Sequence, residues 1–157
     1  MLPILLIDTF GREDGLNSKK PMFMPFCDDG TMSDNDIMRK YYEECQRSMA
    51  LFGYDIELGT RVGDFLERAG FDRVTSIKRK TPLGTWARDK TMRVIGLYTR
   101  EAVLNSVDSV IGKPFAALGF SEVDREVWAA KVTASAKEDH VHQYYNFYFW
   151  YAQKPEC

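Results

Sequence analysis

Residues 144–151 read Tyr-Tyr-Asn-Phe-Tyr-Phe-Trp-Tyr, seven aromatic side chains in eight positions. Successive side chains of an extended strand point to opposite faces. A strand aromatic on both faces therefore predicts a central strand, flanked on either side and covered above and below. If each ring buries roughly 150 Å², at about 25 cal/mol per Å² the seven contribute on the order of 25 kcal/mol as an upper bound. Left at a surface, the same strand would invite aggregation. The fold must therefore supply neighbours. Residues 2–7 (LPILLI) and 73–81 (RVTSIKRKT) are the candidates, the second rich in β-branched residues and terminated by Pro82 and Gly84. A second subunit is the other source.

Between these strands the apolar period is helical. Ile37, Tyr41, Cys45 and Met49 recur at steps of four, joined by Met38, Tyr42 and Phe52, with Ser33 as the expected cap, Asp36 in the first turn and Gly53 as the stop. A short helix is expected over 60–69, closed by Gly70, and a long one over 89–111, weakened at Gly96. Residues 112–119 break the pattern. Ser121 and Asp124 then form a capping pair that opens a helix to about residue 137. Residues 11–36, rich in Gly, Pro, Asp, Asn and Ser, read as a long surface loop. The fold class expected is α/β with an α+β character: a small sheet of two or three strands packed by about four helices.

At 157 residues, 45% hydrophobic and 28% charged, the chain makes one domain over 1–157, and disorder and disulfide-dense scaffolds are excluded. Twenty-one basic against 23 acidic residues is not the balance of a nucleic-acid platform. Cys27, Cys45 and Cys157 are odd in number and widely spaced, as expected of reduced thiols in the cytoplasm. The apolar run at 2–7 is too short for a signal-peptide core or a membrane span. Neither a nucleic acid nor a membrane is an expected partner.

No two glycines are separated by a single residue, so the G-x-G turn that brings backbone against a nucleotide is missing. Gly112-Lys113 runs into Pro114 rather than Ser or Thr, and there is no G-x-S-x-G elbow. His140 and His142, the only histidines, share a face in DHVH but lack a clear third ligand, so no metal is expected and a backbone carbonyl is the expected partner. His142 is the best candidate for a group titrating near neutral pH. Asp28-Asp29-Gly30-Thr31 is either a carboxylate pair or simply a turn before the helix, turn chemistry sufficing to explain it, and Lys78 to Lys80 reads as a solvated strand end. In the 82–90 stretch, PLGTWARDK, Trp86 occupies a strand-to-helix loop, Asp89 can cap the helix, and Lys90 sits near a positive helix end without a structural reason. The candidate catalytic residues are Trp86, Lys90, His142 and Tyr144. Trp86, Tyr98, Tyr145 and Phe147 are the candidate substrate contacts.

Five motifs occur in order: DDGT at 28–31, LERAGF at 66–71, PLGTWARDK at 82–90, LGFSEVD at 118–124, and the aromatic strand followed by AQKPE at 152–156. Together, over about 25–156, they resemble the C-terminal half of fungal class I methyltransferases related to the velvet-complex regulator of secondary metabolism and to trans-aconitate methyltransferase-like enzymes. The resemblance implies a truncated Rossmann-like fold, with the sixth strand at 73–81, the seventh at 144–151 and inserted helices as a substrate lid. A methyltransferase-like region over 26–157 would follow a divergent strand and loop over 1–25. In such families S-adenosylmethionine sits on the first half, at a glycine-rich turn and an acidic residue, and neither is matched here, so no cofactor is expected. The function expected is that of a cofactor-independent enzyme of fungal secondary metabolism. It would be an isomerase or cyclase, of pericyclic Diels-Alder type, acting on an apolar polyketide or terpenoid intermediate. The alternatives are a fragment or partner-dependent part of a methyltransferase, and a non-catalytic protein that pairs through its sheet edge. A homodimer would cover the apolar faces left by half a sheet.

Overall fold

The structure is a computed structural model that describes residues 4–6, 11–12 and 24–155. In chain order the elements are β1 (Ile4–Leu6), β2 (Gly11–Arg12), α1 (Ile37–Leu51), β3 (Tyr54–Asp55), α2 (Val62–Arg68), β4 (Asp72–Pro82), α3 (Lys90–Ile111), α4 (Lys113–Ala117), α5 (Glu122–Ala136) and β5 (Tyr144–Gln153). The main sheet runs β1-β5-β4 and all of its pairs are antiparallel. The aromatic strand is thus central, and the two segments expected beside it are its neighbours. β4 and β5 pair continuously from Thr75↔Tyr151 to Pro82↔Tyr144. The register shifts between Asp72 and Thr75, where Arg73 takes a left-handed φ of 51°.

Cover over β5 is uneven, which corrects the expectation of a strand enclosed on both faces. Tyr144, Tyr145 and Asn146 are buried, Phe147 is 42% exposed, and residues 148–151 are half-buried. The reason is where the helices dock. Near the start of β5, Tyr145 joins a core formed by Met38, Tyr41 and Cys45 of α1 with Val107 and Ile111 of α3. Toward its end, α2 packs Val62 and Leu66 around Ala152 and Trp150, and the Trp150 indole N–H donates to the Gly59 carbonyl at 2.8 Å.

Local chemistry accounts for the helix ends. Asp36, rather than Ser33, caps α1 through a 2.8 Å bond from the Met38 amide to its carboxylate. Ser33 instead accepts the Asp36 amide through its carbonyl. Asp89 caps α3 and accepts the Met92 amide at 2.9 Å. Ser121 and Asp124 form the reciprocal capping box of α5. The break at 112–119 holds α4, with Gly112 as the pivot and Pro114 in the first turn, where its missing N–H costs nothing. Its Phe115 is wholly buried. Five α-helices are therefore present among the described residues, one more than expected. The 11–36 segment is also not all loop, because Gly11 and Arg12 pair with Asp55 and Tyr54. Residues 13–23 of that segment, and Cys157, lie outside the described residues. No helix among the described residues is long and apolar enough to cross a membrane.

Candidate functional site

Two concavities lie against the first residues of β5. Tyr144 lines one and Tyr145 with Phe147 the other, because neighbouring strand residues point to opposite faces. The candidate residues are divided between them accordingly. Tyr98, Tyr145 and Phe147 line the larger, whereas Trp86, His142 and Tyr144 line the smaller. Lys90, the exposed first residue of α3, lines neither.

The larger is an apolar cavity of about 490 Å³ between α1, α3 and β5. Tyr41, Tyr42, Cys45, Ala102 and Val103 also wall it. Its buried phenols and thiol are held neutral. Burial is the main cause, pushing the Cys45 thiol up to about 12 and the Tyr41, Tyr42 and Tyr145 phenols well above their ordinary value. The cavity therefore holds weak hydrogen-bond donors and no base. The Tyr145 hydroxyl is buried and interacts with Tyr42, whose ring packs edge-on at a centroid separation of 5.3 Å.

The smaller concavity is a polar notch of about 180 Å³ at the start of β5. Its wall is built by the 24–31 segment, which bridges to the strand through reciprocal backbone bonds of 2.8 and 2.9 Å between Phe26 and Tyr144. That docking sets both carboxylates of the DDGT turn against β4 and β5. Asp29 lies 2.5 Å from His142 Nδ1. Asp28 accepts the Tyr144 hydroxyl at 2.7 Å and pairs with Lys80, whose ammonium sits 4.5 Å from the centre of the Tyr144 ring. Thr31 Oγ accepts the His142 amide and donates to Asp29, both at 2.8 Å.

On the opposite wall Trp86 stacks on the His142 ring, centroids 4.9 Å apart and planes at 24°, and its indole N–H donates to the Gln143 carbonyl at 3.0 Å. The loop that carries Trp86 is clamped by Asp139. This carboxylate accepts the Thr85 amide at 2.7 Å and its hydroxyl at 2.9 Å, with Arg100 at 3.3 Å.

Two readings of the sequence change here: Asp28 and Asp29 do more than shape a turn, and His142 is bonded to a carboxylate rather than a carbonyl. Lys80 is an exposed strand-end residue, as expected, that also pairs with Asp28. No local signal revealed this, because the partners lie 52 to 116 residues apart. His140 points away from the notch, toward Glu138 at 3.6 Å, and no metal-binding group of three His, Cys, Asp or Glu forms among the described residues.

Hydrogen bonds to their ionised forms hold both DDGT carboxylates below the usual range, Asp28 chiefly through Lys80 and Asp29 chiefly through His142. Groups depressed in the folded state stabilise it above their unfolded value of 3.8 and cease to do so as pH falls through and below it. The melting temperature is accordingly expected to drop as pH is lowered through that range, and to drop less steeply in Asp29→Asn. Identical pH slopes for the two proteins would contradict this.

Comparison with known proteins places this geometry in a context. Methyltransferase cpsF of Aspergillus campestris is 33% identical over 81 residues, covering 52% of this chain and 28% of that protein. Methyltransferase pytC of Aspergillus terreus is 23% identical over 131 residues, covering 83% of this chain and 40% of that protein. The secondary metabolism regulator LAE1 of Cochliobolus heterostrophus is 22% identical over 138 residues, covering 84% and 44%. The chain thus spans less than half the length of these relatives. No family model matches, and no solved structure matches.

S-adenosylmethionine, the cofactor that methyltransferase kinship implies, does not fit the residues described. The strand-to-helix turn from β4 to α3 has one glycine, Gly84. A Cβ there would lie 2.6 Å from Asp139 Oδ1, and its carbonyl is packed against Gly96. No open backbone cradle remains at that turn for a nucleotide. Over most of its length the chain is similar to fungal proteins named as methyltransferases and to a secondary metabolism regulator.

Proposed function

We propose that the chain is a truncated Rossmann-like remnant of a methyltransferase that takes up an apolar small molecule of fungal secondary metabolism and promotes its isomerisation or ring closure without a cofactor. The antiparallel β4-β5 pair, joined through three helices, supports reading these strands as the sixth and seventh of the parent fold. The observation that carries the functional reading is the 490 Å³ cavity, apolar and free of bases. Its volume falls within the roughly 300–1,000 Å³ usual for small-molecule sites. A polyketide or terpenoid intermediate held there in a folded reactive conformer gains rate from restricted motion alone. The Tyr145 hydroxyl, in the cavity wall beside Tyr42, is suited to donate to a substrate carbonyl, where it would stabilise charge developing on oxygen. Such chemistry requires no proton transfer. The donors expected from the sequence, Trp86, His142 and Tyr144, line the other concavity, so Tyr145 takes that part in this reading.

Two measurements test it. Anilinonaphthalene sulfonate, an apolar fluorescent probe, should bind wild type and lose at least about tenfold in affinity in Ala102→Trp, which fills the cavity. Incubation with the pathway's linear precursor, without S-adenosylmethionine, should change the rate or product ratio relative to buffer; no change in either would reject the catalytic reading. A second reading, a methyltransferase part that works with another chain, is favoured by the match to less than half of each relative cited. Tight calorimetric binding of S-adenosylmethionine by this chain alone would overturn the cofactor-free reading.

A further inference from the structure

We propose that the polar notch is a general-base site, in which the Asp29–His142 pair takes a proton from a small planar molecule carrying a weakly acidic C–H or O–H. It does not depend on the cavity on the other face of β5. Asp29 Oδ2 lies 2.5 Å from His142 Nδ1, a contact that favours the tautomer protonated on Nδ1, in which Nε2 carries the lone pair a base requires. Nε2 has no hydrogen-bond partner among the described residues.

The ring is held by Asp29 and by the Trp86 face at 4.9 Å, and the backbone that carries it is fixed by the 2.8 Å bond from the His142 amide to Thr31. Asp29 is itself kept ionised by bonds from His142, Cys27 and Thr31. Docking of the 24–31 segment explains the Thr31 and Asp28 bonds. It does not call for an imidazole whose second nitrogen is left over in a concavity. The notch, about 180 Å³, has room for one small bicyclic molecule, with flat walls from Trp86, Tyr144 and Pro82. Lys80, also in its lining, can hold an oxygen on which negative charge collects.

The probe is nitrobenzisoxazole, whose ring opening reports a positioned base. His142 Nε2 takes the ring C–H proton, the C–H electron pair becomes the new C–N π bond of a nitrile, and the N–O bond breaks to leave a phenolate. The proton then passes to water, and no oxidant or co-reactant enters. Wild type should release the coloured phenolate faster than buffer and faster than an equal concentration of free imidazole. His142→Ala should lose at least about tenfold of that rate and regain part of it on addition of imidazole. Asp29→Asn, which keeps the shape but disorders the tautomer, should fall between them, and it carries the test if His142→Ala does not fold. A wild-type rate equal to buffer would overturn the proposal. So would a folded His142→Ala or Asp29→Asn protein with the wild-type rate.

Discussion

Gly96→Ala is expected to lower folding stability by about 3–5 kcal/mol, a large part of the 5–15 kcal/mol typical of a domain. A Cβ built on Gly96 would stand 1.9 Å from the Gly84 carbonyl oxygen, 3.1 Å from its carbon and 3.2 Å from Pro82 Cβ. The obstacle is backbone, so no rotamer can relieve it. Neither side is free to retreat. The Gly84 amide donates to the Gly96 carbonyl at 3.0 Å, Gly84 holds a left-handed φ of 88°, and the adjoining Thr85 is clamped by Asp139 through two bonds. The substitution would push α3 off the end of β4 and disturb the loop that carries Trp86. Urea unfolding measures the loss. Gly119→Ala serves as the comparison, having a φ of 93° but no atom within 4 Å of its added Cβ; it should cost about 1–2 kcal/mol. A Gly96→Ala protein within about 1 kcal/mol of wild type would show that this crossing is not close-packed.

The second large effect is expected at Phe115, where truncation to alanine should cost about 3–5 kcal/mol. Its side chain is wholly buried, with ring centroids 6.1 Å from Tyr41, 5.5 Å from Phe120 and 5.9 Å from Trp128. It is the peg by which the short α4 holds α1 and α5 together. A five-residue helix cannot sustain itself, so its stability comes from this docking. Phe115→Ala should lower the urea midpoint and weaken the near-ultraviolet signal of Trp128, which loses one of its two edge-to-face partners and keeps Phe120. A loss under about 1.5 kcal/mol would mean the three aromatic neighbours collapse into the space. Because Phe115 and Gly96 lie in different contacts, their effects should add when combined.

The two sites draw on one short stretch of chain. Residues 139–147 supply Asp139 to the Trp86 loop, His142 and Tyr144 to the notch, and Tyr145 and Phe147 to the cavity. Alternation along a strand makes this economical, since a one-residue step changes the face. It also explains why residues grouped as one site in the sequence fall into two. Trp86 and Tyr98 are close in sequence, yet Trp86 leaves a strand end on the notch side while Tyr98 lies on α3, on the cavity side.

What the sequence determined by itself was whatever depends on neighbouring residues. Apolar steps of four marked α1, the cap Asp89 marked the start of α3 and the Ser121–Asp124 capping pair that of α5, and the aromatic run marked β5 as a strand that had to be central. It also carried the kinship with fungal methyltransferases. The cap of α1 was misplaced by three residues, because Ser33 and Asp36 are both good caps and only the chain path selects between them. Short elements were lost for a physical reason: α4 and the β2-β3 pair have too few residues for a period, and exist because something packs or pairs with them.

Only the tertiary structure decided the site. Lys80 meets Asp28 across 52 residues and His142 meets Asp29 across 113. Those pairings depend on the 24–31 segment bridging to Tyr144 at the end of the sheet. A carboxylate in a turn has the same local appearance whether it faces water or a histidine. The difference lies in what the fold sets against it, and no period, cap or composition encodes that.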